Sequence, residues 1–201
     1  MQKTKHVLIG CGLILALGGQ IAPVHAQQPA RGLVTTVSMS RAAQIFDMSP
    51  TGTTYPPFWY TPTFDASSWD HVSLVSPRVL NCARRQVGPS WTDQHGYWGS
   101  SQTAHYLFRQ VIALPRAANY YGSVLSFAGV LGGYKAFVNG RAVTFDFHQG
   151  YVSHGRSSIA ASLRPGANVI VVDAIGVPAS SHPSCSAFTF SATLRAAGVK
   201  Q

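Results

Sequence analysis

YLFRQVIALP (106–115), VLSFAGV (124–130), YKAFVNGRAVTF (134–145) and LRPGANVIVVDAI (163–175) follow one another through the middle of the chain. Each run is short, rich in β-branched and aromatic residues, and bounded by Gly, Pro or Asn. That is the pattern of antiparallel strands joined by tight turns. Asn139-Gly140 predicts a two-residue hairpin, because both central positions of that turn need a positive φ. Asn168 to Ile175 is almost continuously apolar and predicts a strand covered on both faces, hence a central one. Ser186 to Arg195 alternates instead. Phe188, Phe190, Ala192 and Leu194 fall on one face; Ala187, Thr189, Ser191 and Thr193 fall on the other.

Working outward, Leu33 to Met39 reads as a first strand, and Arg41 to Met48 fits either a strand or a short helix. Ser49 to Pro57 is a loop broken by three prolines and a glycine. Phe64 to Val72 suggests a short turn capped by Asp65 or Ser67, with Trp69 as a core anchor. Val72 to Val75 opens another strand that Pro77 ends. Leu80 to Ala104 is the least regular and most aromatic part. With about nine short strands and no convincing long helix, the fold class is all-β: an antiparallel β-sandwich of the jelly-roll type.

The ends and the charge bound the setting. Lys3 and Lys5, the apolar run Val7 to Leu17 and the small-residue site Val24-His25-Ala26 read as a secretory signal peptide over residues 1–26. Residues 27–201 are then a single domain, exported to the periplasm or beyond. Cys11 sits in a sequence resembling a lipoprotein box, but most of the apolar segment follows it, which argues against lipidation. Lys and Arg number 15 against 6 acids, all of them Asp, for a formal charge of +9. Such a balance favours anionic surfaces or simply keeps the protein soluble. The cations are dispersed, so no nucleic-acid arm is present, and no transmembrane segment is expected. Cys82 and Cys185 remain after processing. An oxidising compartment predicts one intramolecular bond between them, the alternatives being two free thiols or a bond between chains.

The order of motifs resembles the galactose-binding-domain-like jelly rolls, among them the N-terminal sugar-binding domains of bacterial β-galactosidases and β-glucuronidases. The resemblance is carried by Phe64-Asp65-x-Ser67-Ser68-Trp69-x-x-Val72, by Tyr106-x-Phe108-Arg109 with Leu114-Pro115, and by Leu125-x-Phe127-x-Gly129-Val130. Phe137-Val138-Asn139-Gly140 and Leu163-x-Pro165-Gly166-x-Asn168-x-Ile170-x-Val172 complete it. It covers roughly the middle two thirds of residues 27–201. Every matching residue also has a purely structural reading. What the resemblance implies is a binding module, often for carbohydrate, that uses loops at one end of the sandwich. Some members hold a structural Ca²⁺. The catalytic barrel of the enzymes has no counterpart in these residues, so their hydrolase activity is not carried over.

Carbohydrate sites combine aromatic faces with a few fixed polar groups. The Trp91–Trp98 loop supplies both kinds: Trp91, Tyr97 and Trp98 as platforms, with Arg85, Asp93, Gln94 and His95 as hydrogen-bonding groups. The same rings could instead fold inward as a small core. A second candidate is Tyr55 to Tyr60, where Phe58, Trp59 and Tyr60 sit among prolines; packing explains these rings equally well. No cofactor is expected. Histidines and cysteines lack zinc spacing, and Asp65, Ser67 and Asp70 offer calcium only a partial ligand set that a capped turn already explains. No G-x-S-x-G elbow is present, and no pair of carboxylates is set up for glycoside hydrolysis. The leading expectation is a non-catalytic module whose partner is a glycan or cell-surface component. The rivals are a structural or adhesive protein using the aromatic loop as a protein interface, and a hydrolase with an Asp-based site.

Overall fold

A computed structural model describes residues 32–49, 54–117, 119–178, 180 and 185–198. The signal-peptide reading falls outside these residues. The chain forms β1 (Leu33–Ser38), β2 (Gln44–Asp47), β3 (Asp70–His71), β4 (Ser73–Leu74), α1 (Pro77–Val87), β5 (Tyr97–Trp98), β6 (His105–Leu114) and β7 (Val124–Val130). It continues with β8 (Gly133–Val138), β9 (Arg141–Val143), β10 (Phe147–Gln149), β11 (Val152–Ser158), β12 (Gly166–Ile175) and β13 (Ala187–Ala196). Two antiparallel sheets face each other. The seven-stranded sheet runs β10-β11-β7-β13-β5-β4, with β1 also paired to β13; the six-stranded sheet runs β3-β2-β6-β12-β8-β9. The protein is therefore an all-β sandwich. Successive strands from β6 to β8 change sheets, and β11 to β13 do so again. The interior is consequently built from residues far apart in sequence.

The strand faces behave as the alternation requires. Phe188, Phe190, Ala192 and Leu194 point inward and are at most 2% exposed. They meet Phe108, Ile170, Val172 and Val138 from the other sheet in one apolar core. β12 lies between β6 and β8, as its apolar run predicts. In the hairpin between β8 and β9, Asn139 and Gly140 adopt φ of 51° and 81°. The Asn139 amide donates to Ser162 O and to Asn168 Oδ1, both at 2.7 Å, and so ties the hairpin to the turn before β12.

Two expectations need correction. Thirteen strands stand among the described residues rather than about nine. β3, β4, β5, β9 and β10 have only two or three residues each, too few to show a period. The stretch expected to be irregular opens with an eleven-residue helix, α1. Its signals are local. Ser76 Oγ accepts from Val79 N, Pro77 occupies the first turn, and Gly88 with φ 68° sends its N–H to Arg84 O. Pro77, read as the end of a strand, is equally the start of a helix. Helix α1 lays Cys82, Ala83 and Val87 on the outer face of the seven-stranded sheet, against Ala128, Val130 and Ala187. Cys82 and Cys185 are disulfide-bonded, with Cα atoms 6.1 Å apart.

Residues 54–69 form a strap across the outer face of the six-stranded sheet. Trp59, Ala66 and Trp69 are buried there against Leu107, Val169 and Val171, so Trp69 is the core anchor expected of it. Three polar residues of the sheet anchor the strap. Gln44 Nε2 donates to Ala66 O at 2.7 Å. Arg109 Nη2 donates to the carbonyl oxygens of Thr61, Pro62 and Phe64. Asp173 is 5% exposed; its Oδ2 accepts from Tyr55 Oη at 2.7 Å while Oδ1 lies 2.5 Å from His105 Nε2. Burial, then the bond to Asp173, pushes the Tyr55 phenol up to about 12 from 10.0. The folded state thus favours the protonated phenol. Its contribution is complete below about pH 10 and is lost as pH rises toward about 12. Urea midpoints measured across that window should fall more steeply in the wild type than in Tyr55→Phe. Parallel slopes would show that the contact carries no such linkage.

Candidate functional site

Helix α1 covers only part of the outer face of the seven-stranded sheet. The uncovered part is a trough of about 670 Å³ crossing β1, β13, β7 and β11. Its floor follows from the register. Ser38 stands opposite Ser191, Ser191 opposite Ser126, and Ser126 opposite Arg156. Side chains opposite one another in antiparallel strands share a face, so these four form one row. Thr36 beside Thr193 forms a second row. Thr189, Ala128 and His154 form a third, at the margin of the helix. Small hydroxylated residues make the floor low, and the segment Ser90 to Gln94 leaving α1 makes a wall above it. Among the described residues, the hydroxyls of Ser126, Ser191 and Thr193 and the exposed guanidinium of Arg156 have no protein hydrogen bond or ion pair. Donors and acceptors so placed remain available to a polyhydroxylated ligand.

Asp93 is the expected site residue that the fold brings to the trough most firmly. Its Oδ2 accepts from Thr189 Oγ1 at 2.7 Å, Oδ1 accepts from His95 N at 2.9 Å, and its carbonyl accepts from Arg84 at 2.6 Å. Gln94 lines the same wall. His95 is exposed, with Nδ1 3.5 Å from Asp93 Oδ1. Arg85 is exposed in the last turn of α1 and does not line the trough. At Asp65, Oδ1 accepts from Ser67 N at 2.9 Å, and these bonds hold its carboxyl below the usual carboxylate range; the group acts as the turn cap.

The three rings expected as platforms do not present their faces. Trp91 is 7%, Tyr97 4% and Trp98 1% exposed. Trp91 packs under α1 with Val87 and Ala187. Tyr97 donates its hydroxyl to Met39 O at 2.8 Å, and burial followed by the nearby Asp93 charge pushes its phenol upward. Trp98 stands edge-on to Tyr106 and Phe188 and donates Nε1 to Ser101 O at 2.7 Å. Each ring has a large apolar area to remove from water, and the polar tips of Tyr97 and Trp98 find partners, so burial wins over display, even at Trp91, whose buried Nε1 has no hydrogen-bond partner among the described residues. The trough's floor was only half legible. The Thr189, Ser191, Thr193 row stands out as the polar side of β13, but no signal says that this side stays uncovered.

No family model and no curated protein matches the sequence. Among solved structures, the chain is similar to part of a Bacteroides uniformis β-glucuronidase, at 13% identity and a TM-score of 0.47, covering 80% of this chain and 18% of that one. A glycosyl hydrolase family 2 member from Bacteroides cellulosilyticus matches at 14% identity and a TM-score of 0.48, over 79% and 20% of the two chains. A Faecalibacterium prausnitzii β-glucuronidase matches at 12% and 0.42, over 85% and 33%. The chain thus spans a third or less of the length of each of these proteins.

Proposed function

We propose that this protein is an exported, non-catalytic jelly-roll module that binds carbohydrate across the trough on its seven-stranded sheet. The observation that supports this reading is the row of unpartnered hydroxyls ending in Arg156, walled by Asp93 and Gln94. A sugar offers alternating hydroxyl donors and acceptors, which such a surface can satisfy without a deep apolar pocket. The site differs from the loop-end site expected from the sequence: it lies on a sheet face, with a loop as its wall. The rival reading, an adhesive protein using the aromatic loop, loses its surface because Trp91, Tyr97 and Trp98 are buried. Export agrees with the bonded Cys82 and Cys185.

A glycan array probed with wild type, Ser191→Trp and Arg85→Ala tests the reading. The indole at position 191 fills the floor, so binding should fall at least tenfold, while Arg85→Ala should bind as wild type does. Wild-type binding by Ser191→Trp, or no glycan bound by the wild type, would overturn it.

A further inference from the structure

On the other side of the sandwich, the strap holds an aromatic residue in a conformation that its side chain disfavours. Phe58 has a φ of 60° and is 68% exposed. It follows Pro56-Pro57 in a turn closed by Trp59 N to Pro56 O at 3.4 Å, and its carbonyl accepts both Thr61 N and Thr61 Oγ1 at 2.9 Å. A turn position after proline with positive φ suits Gly or Asn; a bulky residue there is strained. Strain at a buried residue can be explained by packing. At an exposed one it stabilises nothing inside the fold, and such outliers concentrate where a side chain is displayed for function.

The setting makes the display rigid. Tyr60, 38% exposed, lies against the hairpin so closely that a Cβ at Gly140 would come within 2.6 Å of its ring. Its neighbour Trp59 is buried, stacked on Tyr55 at 5.4 Å and edge-on to Phe137 at 5.2 Å.

We infer that Phe58 and Tyr60 form a second saccharide contact, taking the C–H face of a pyranose ring within a neutral polysaccharide. The ligand class rests on the carbohydrate reading above; the site itself rests on the strained, exposed ring. The two rings together expose on the order of 200 Å², enough for one or two sugar units. A stable protein partner buries about 800 Å² on each side. Because the trough faces outward from the seven-stranded sheet and this corner from the six-stranded one, one molecule has saccharide contacts on opposite sides and can bridge two chains.

Native electrophoresis through gels containing laminarin, xylan or galactomannan, run with wild type, Phe58→Asn, Phe58→Trp and Ser191→Trp, tests the site. Phe58→Asn should lose affinity at least fivefold while its Tm rises by about 2–4 °C, since Asn tolerates the positive φ. A gain in stability rules out unfolding as the cause of the loss. Phe58→Trp should keep its retardation. Wild-type retardation of Phe58→Asn in every gel that slows the wild type overturns the site. If Ser191→Trp alone loses retardation, this inference fails and the trough stands; if Phe58→Asn alone loses it, the reverse holds. A wild type slowed by none of the three polysaccharides counts against both.

Discussion

Removing the Cys82–Cys185 bond, as Cys82→Ser with Cys185→Ser, is expected to lower stability by about 4–5 kcal/mol, the chain-entropy value for a loop of about a hundred residues. The two cysteines are 103 positions apart, so the crosslink restricts a long stretch of the unfolded chain. In the folded protein it also fastens α1 to the start of β13. Without it, α1 is held on the sheet by Ala83 and Val87 against Ala128, Val130 and Ala187. For a domain of this size the loss corresponds to a fall in Tm of roughly 10–15 °C. Hydrogen exchange should rise first in residues 77–87, and glycan binding should weaken, because Ser90 to Gln94 leave directly from this helix. A midpoint within a degree of the wild type would refute the assignment of this bond as a principal stabiliser.

Arg109→Ala should cost about 3–5 kcal/mol, although Arg109 has no carboxylate partner among the described residues. Its side chain is 4% exposed. Nη1 donates to Gln44 Oε1 at 3.1 Å, and Nη2 lies 3.0 to 3.3 Å from the carbonyl oxygens of Thr61, Pro62 and Phe64. The guanidinium carbon sits 5.8 Å over the Phe64 ring. Burial lowers its pKa from the ordinary value, but the group stays charged at neutral pH. It therefore gathers the strap's carbonyls in place of a counter-ion. Truncation removes the donors and strands acceptors under the strap, so the cost exceeds that of the packing alone. Lysine should recover less than half, because a single ammonium cannot span four acceptors arranged around a planar fork. Chemical unfolding of Arg109→Ala, Arg109→Lys and the exposed control Arg85→Ala gives the comparison. An Arg109→Ala midpoint matching that of Arg85→Ala would contradict this account.

The disulfide and Arg109 both stand out in the sequence, for different reasons. The disulfide is legible from counting cysteines in a chain that reads as exported. Arg109 is visible only as part of a motif, Tyr106-x-Phe108-Arg109, and its alternation places it on the face opposite Phe108. That this face is covered is decided by residues 54–69, some fifty positions earlier. The same limit governs the candidate site. The row Thr189, Ser191, Thr193 has one reading in sequence, whether a helix lies over it or nothing does.

The sequence by itself determined what is local: the long strands, the two faces of β13, the Asn139-Gly140 turn and the central place of β12. These depend on spacing of two along a strand and on backbone preferences at single residues. It also carried the signals for α1, in Ser76-Pro77 and Gly88, where Pro77 admits two readings. Tertiary structure alone decided which surfaces are covered. Trp91, Tyr97 and Trp98 went inward because distant strands supplied apolar neighbours for them and Met39 O a hydrogen-bond partner for Tyr97. Ser126, Ser191 and Arg156, far apart in the chain, became one row because three strands aligned in register. Burial is a property of what packs against a residue, and for these residues the packing partners come from other parts of the chain.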